Sequence, residues 1–254
     1  MKHLAWIDGR VVEASELRLD EPFVMQRIHT LAGRSFNVAR HIEVLRHDSE
    51  LLFGFATLYK ASDVEQIIAE LLRLSCASAM FSCPVDISLN GRGELSLTVG
   101  KPTFGRGAYH RSIRFVAQCI TGNVPTTIAQ TSESLAADAM ANRRVRMYGA
   151  DRALLLDENR YLISRPWMPV FVVYRGKIYT PTEFSSVEFE VAREAIIGAG
   201  VELYIADVSE AALMSADEIF MVDIMGVTSM SSVANHSLLY MTASRVARYM
   251  SPNK

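Results

Sequence analysis

The sequence predicts a two-domain protein of mixed α/β (α+β) class, on three observations. It has 254 residues, 50% of them hydrophobic, enough to bury one large core or two smaller ones. Strand-period and helix-period segments alternate in both halves of the chain. Between the halves, ITGNVPTTIAQTSESL has the glycine, proline and hydroxyl content of a connecting loop. The expected domains are residues 1–112 and 113–254, with the connection at about 120–134.

The elements follow in order. LAWIDGRVVEA reads as strand, turn, strand around Asp8-Gly9, a hairpin dipeptide. FVMQRIHTLAGRSFNV repeats the pattern, with its turn at Ala32-Gly33. RHIEVLRHDSELLFG places Ile42, Leu45, Leu51 and Leu52 at helical spacing and ends at Gly54. SDVEQIIAELLRLSCASAM predicts a second helix, with Ser62 as its cap and Val64, Ile67, Ile68, Leu71 and Leu72 on one face. PVDISLNGRGELSLTVG gives two strands around Asn90-Gly91. After the strand SIRFVAQCI and the loop come the helix AADAMANRRVRMYG and the strand RALLLD. The strands VFVVYR and IYTP then flank a turn at Gly176-Lys177. The helix SSVEFEVAREAIIGAG, the strand VELYIAD, a short helix, the strand EIFMVDI and a terminal helix complete the chain.

Composition excludes several function classes. A formal net charge of −2 supplies no basic field for nucleic acid or anionic lipid. No apolar run has the length of a signal peptide or a membrane span, so a cytoplasmic location is expected. Cys76, Cys83 and Cys119 lack metal-ligand spacing and read as reduced thiols, and no histidine cluster suggests a metal.

Several blocks, in order, resemble the class IV aminotransferase family of fold type IV. That family includes branched-chain and D-amino-acid aminotransferases and aminodeoxychorismate lyase. The blocks are Trp6-Ile7-Asp8-Gly9, then MQRIHTLAGRSFNVARHIEVLRHDSELL, then Asn142-Arg143 followed by GADRALLLDENRYLI. VFVVYRGKIYTP, AREAIIGAGVEL and ADEIF complete the series. The resemblance implies two α/β domains with a pyridoxal-phosphate cleft between them, in a homodimer. It also implies a lysine for the Schiff base, a carboxylate at the pyridinium nitrogen and an anion site for the phosphate.

Matched residue by residue, these parts are replaced. The lysine position, three residues before Asn142, is Ala139, and no lysine lies between Lys101 and Lys177. The pyridinium carboxylate falls on Ser164, beside Arg165, and the family's asparagine five residues later falls on Pro169. The phosphate-binding arginine corresponds to Val44; Arg46 is two positions on, about 200° around a helix. The phosphate-binding helix start aligns with Ser186, Val187 and Glu188, and a final-loop hydroxyl position holds Ile224. A glutamate in a first helical turn itself satisfies the dipole and competes with phosphate.

The expectation is therefore a homologue without the Schiff-base lysine, PLP-independent or non-catalytic, with no cofactor. An active aminotransferase or 4-amino-4-deoxychorismate lyase with a displaced lysine, Lys101 or Lys177, stands as an alternative. So does a small-molecule binding protein using the inter-domain cleft. His29, Arg143, Arg165, Asp223, Thr228 and Ser229 are the candidate cleft residues, with Arg143 suited to pair with a small anionic ligand. Four positions have a plainer reading: Arg143 and Glu188 as surface helix residues, His29 as structural or exposed, Asp223 in a salt bridge with Arg143 or Arg165.

Overall fold

The structure is a computed structural model, and it describes residues 2–75, 82–101, 110–121 and 128–250. Cys76 and the loop residues Gly122 and Pro125 lie outside the described residues. The chain divides into two compact units, residues 1–107 with 129–132, and residues 108–128 with 133–254.

Unit 1 opens with β1 (Leu4–Ile7) and β2 (Arg10–Glu13). Asp8 and Gly9 join them at φ 43° and 88°, the left-handed pair that a two-residue hairpin needs. β3 (Phe23–Ile28) runs into a small ribbon of β4 (Thr30–Leu31) and β5 (Arg34–Ser35). Helices α1 (Val38–Phe53) and α2 (Ala61–Leu74) follow, then β6 (Val85–Asn90) and β7 (Leu95–Val99). The sheet order is β2-β1-β7-β6-β3, antiparallel throughout. Residues 129–132 return to this unit, where Met25 N–H donates to the Gln130 carbonyl at 2.8 Å.

One face of that sheet carries both helices. Ile42 and Leu45 of α1, with Val64, Ile68 and Leu71 of α2, pack against Val24, Ile28, Ile87 and Leu97. Each such side chain contributes about 1.5–3 kcal/mol by leaving water. Gly54 ends α1 at φ 76°, its N–H on the Glu50 carbonyl, as its position predicts. Leu51 and Leu52 stay out of the core, 53% and 46% exposed in the last turn. Ser62 is not a cap: α2 starts at Ala61, so the Ser62 backbone is already helical and its hydroxyl turns to Asp63.

Unit 2 begins with β8 (His110–Thr121) and α3 (Ser132–Arg146), whose first residue belongs to unit 1. Next are β9 (Arg152–Leu156), β10 (Leu162–Ile163), β11 (Val170–Tyr174), β12 (Lys177–Thr180), α4 (Val187–Gly198) and β13 (Leu203–Ile205). α5 (Glu210–Met214), β14 (Glu218–Asp223), β15 (Gly226–Val233), β16 (His236–Ser237) and α6 (Met241–Tyr249) end it. Its sheet runs β10-β9-β8-β15-β14-β11-β12-β13, with β16 on β15. The turn before β12 is Arg175-Gly176, at φ 50° and 76°, and Lys177 is the first strand residue.

Alternate residues of this sheet feed two cores. Phe171 and Phe220 face α4 and α6, while Val170, Val172 and Met221 face the opposite side with Leu213 of α5. Buried Glu218 ties the last helix down: its carboxylate accepts the N–H groups of Thr242 and Ala243 at 2.7 and 3.0 Å. Those are donors that a helix start leaves unsatisfied. Strand β15, GVTSMSSV, sits inside the sheet between β8 and β14 although its composition resembles a loop.

Candidate functional site

Within unit 2, the segment Ser164–Pro169 gathers the positions that the sequence singled out. The Ser164 hydroxyl accepts the Val170 N–H at 2.9 Å, which closes the segment on itself. The Pro166 carbonyl accepts the Ser186 hydroxyl at 2.6 Å, and Ser186 in turn accepts the Phe189 N–H at 3.2 Å as the cap of α4. The Pro169 carbonyl accepts the Val222 N–H of β14 at 3.1 Å. Ser164, the α4 start and β14 are thus joined through six residues of chain.

Arg165 joins that segment to α3. Its guanidinium is buried, lies 3.5 Å from Asp138 Oδ1 and sits 5.5 Å from the Trp167 ring centroid. Trp167 Nε1–H donates to the other Asp138 oxygen at 3.2 Å. Burial raises the Asp138 carboxyl above its ordinary range, against the pull of Arg165 and of the two hydrogen bonds. Burial likewise lowers Arg165, against Asp138. Both directions agree: desolvation outweighs an ion pair of this length.

One turn further along α3, Asn142 Oδ1 accepts the Ala153 N–H at 3.0 Å, fixing the helix to β9. Ala139, between Asp138 and Asn142, is exposed, and so is Arg143. A cavity of about 20 Å³ lies among Asp138, Asn142, Arg165, Met168 and Met221. That volume suits a single water.

The remaining candidates of unit 2 surround the β14–β15 hairpin. Asp223 Oδ1 accepts the Met225 N–H at 2.7 Å, and half-buried Ile224 forms the turn with Met225. Thr228 and Ser229 are buried on β15, Thr228 opposite Met221. Val187 and Glu188 are buried in the first turn of α4. Among the described residues, Arg165 has Asp138 beside it. Lys177 stands on the sheet edge, its amine 3.1 Å from the Tyr204 hydroxyl and 3.2 Å from Glu202.

Unit 1 holds the other three. His29 is buried, stacked on Phe36 at 5.5 Å and 3.2 Å from the Ser82 hydroxyl. Val44 is half-buried on the flank of α1 that also carries His41 and Asp48. Lys101 is exposed.

Asp138 and Trp167 were not anticipated. They lie 29 residues apart, and neither residue type marks its partner. The one available signal is the indole N–H, which needs an acceptor wherever the ring is buried.

This mixed fold, with a helix-capped segment beside α3, defines a class that the comparisons then specify. Residues 24–233 match the Amino-transferase class IV family, and the chain belongs to that family. A branched-chain aminotransferase of Thermoproteus uzoniensis, solved with norvaline, superposes with a TM-score of 0.79 at 18% identity, covering 98% of this chain and 94% of that one. An aminotransferase from Brucella abortus bound to the cofactor PLP gives 0.81 at 16% identity, covering 98% of both chains. The T.th. branched-chain amino acid aminotransferase complexed with N-(5'-phosphopyridoxyl)-L-glutamate gives 0.79 at 18% identity, over 98% and 93%. No curated protein matches the chain. Among the described residues, no helix is long and apolar enough to cross a membrane.

These findings correct the expectation of no cofactor. The similar solved structures include one bound to PLP and one complexed with N-(5'-phosphopyridoxyl)-L-glutamate, and nothing in the described residues shows that the cofactor has been lost. The physical reason is that a substituted residue removes one contact, whereas a cofactor is held by many, backbone groups included.

Proposed function

We propose that this chain is a class IV aminotransferase homologue that does not carry out lysine-dependent amino transfer. The observation that supports it is the placement of lysine. Position 139 on α3 offers a methyl group, and Lys177, the one lysine between Lys101 and Lys254, is held on an exposed sheet edge by Tyr204 and Glu202.

Pyridoxal phosphate is the ligand to test first, since the similar proteins hold it. When bound, that group supplies an electron sink for bonds at an amino-acid carbon. The described residues of unit 2 do not fit its covalent attachment to α3, because an alanine methyl forms no imine. They leave reversible binding open to measurement. Ser164 keeps a hydroxyl hydrogen to donate, while the Ser186 hydroxyl is committed to Pro166 and Phe189.

Purified protein is incubated with pyridoxal phosphate, treated with borohydride and analysed by mass spectrometry, with retention after dialysis and amino-acid turnover measured in parallel. The reading expects no reduced lysine adduct and no turnover. A reducible adduct on Lys177 or Lys101 that supports turnover overturns it in favour of an enzyme with a displaced lysine. Retention without an adduct supports a small-molecule binding protein that keeps the family ligand.

A further inference from the structure

Asp48 lies on α1, seven residues after His41 and so on the same flank of the helix. Its residue surface is 3% exposed, and Oδ2 has no hydrogen-bond partner among the described residues. A buried carboxylate without partners is costly, and such a group usually takes up a proton instead.

We propose that Asp48 is a pH-responsive catch, which holds α1 against the rest of unit 1 while its carboxyl is protonated and loosens the helix when the carboxyl ionises.

Among the described residues of unit 1, no lysine or arginine is buried to offset ionisation. On α1 itself, His41 has Nδ1 2.9 Å from the Gln26 amide oxygen, and burial lowers it to about 3, so it stays neutral. Arg46, His47 and Glu50 are exposed. β3, packed against α1, offers buried Gln26; its Arg27 is exposed and paired with Asp86. α2, the other packed helix, carries Asp63, Glu65, Glu70 and Arg73, all exposed. Burial alone pushes the Asp48 carboxyl up to about 7.

The sign follows from linkage. Below the ordinary value of 3.8, closed and opened α1 both carry a protonated Asp48, and pH has no effect. Between 3.8 and about 7 the opened form ionises while the closed form keeps its proton, so opening grows about tenfold per pH unit. Above about 7 both forms are ionised and the effect levels off.

The test is hydrogen exchange of the full chain, corrected for intrinsic rates, from about pH 5 to about pH 8. Opening of the α1 segment should rise about a hundredfold to pH 7 and then level off, following the same tenfold slope. Peptides of α4 and α6 should lack that slope. Asp48→Asn should abolish it in α1. An unchanged slope in D48N, or none in the wild-type protein, overturns the proposal. Carboxyl-carbon NMR of wild-type Asp48 decides the matter if the variant does not fold. A midpoint near 7 supports the catch, and an ordinary carboxylate midpoint rejects it. No step depends on pyridoxal phosphate, so failure here leaves the functional reading untouched.

Discussion

Asp48 on α1 and Asp138 on α3 are both aspartates shielded from water, and burial raises both carboxyls. They differ in company. Asp138 shares its burial with Arg165 and the Trp167 N–H, whereas among the described residues Asp48 has an oxygen without a hydrogen-bond partner, and the arginines of β3 and α2, which pack against α1, are exposed. Burial of acidic groups therefore serves opposite ends in the two units. In unit 2 it fastens α3 to the segment after β10, and in unit 1 it makes the hold on α1 conditional on a proton.

The largest expected effect comes from making Asp138 resemble Asp48. Arg165→Met removes the buried cation and should destabilise unit 2 by about 3–5 kcal/mol, the usual cost of leaving half a buried pair. Urea denaturation followed through Trp167 fluorescence measures it. Asp138→Asn with Arg165→Met should recover most of that loss, since no charge is then stranded. If the single variant costs nothing, the pair does not fasten α3.

Removing the lone acid should do the reverse. Asp48→Asn should stabilise unit 1 by about 2–3 kcal/mol at neutral pH, somewhat less than the linkage limit because buried sites relax around a charge. The gain should shrink as pH falls from about 7 towards 3.8 and vanish below it, because the wild-type carboxyl is then protonated in both states. Thermal melts at several pH values test this. A gain independent of pH would assign the effect to packing rather than ionisation.

How much of this could be read beforehand depends on how local the physics is. Asp8-Gly9 and Gly54 were legible, because a positive φ selects residue types on the spot. Strand β15 was not. Its Thr228, Ser229, Ser231 and Ser232 suit a loop, and its strand state depends on pairing to β8 and β14, where Ser231 also donates to the Phe115 carbonyl at 3.0 Å. Ala139 was legible as a letter, and family membership followed from the order of several weak blocks. The Asp138–Arg165–Trp167 group was not, for it depends on how α3 meets a segment nearly thirty residues later. The absence of a cofactor was read too far, from single contacts to the whole site.

A smaller effect separates anchoring by charge from anchoring by hydrogen bonds. Ser186→Ala keeps Arg165 and Asp138 but removes both the cap on Phe189 N–H and the bond to the Pro166 carbonyl. A lost cap costs about 1 kcal/mol, and the stranded Pro166 carbonyl adds a similar amount unless water reaches it. Ser186→Thr, which keeps the hydroxyl, should recover most of the loss. Hydrogen exchange locates the effect: the first turn of α4 should open faster while α3 is unchanged. Were α3 to loosen as well, the Ser164–Pro169 segment would be transmitting strain between the two helices, and charge and hydrogen bond would form one fastening instead of two.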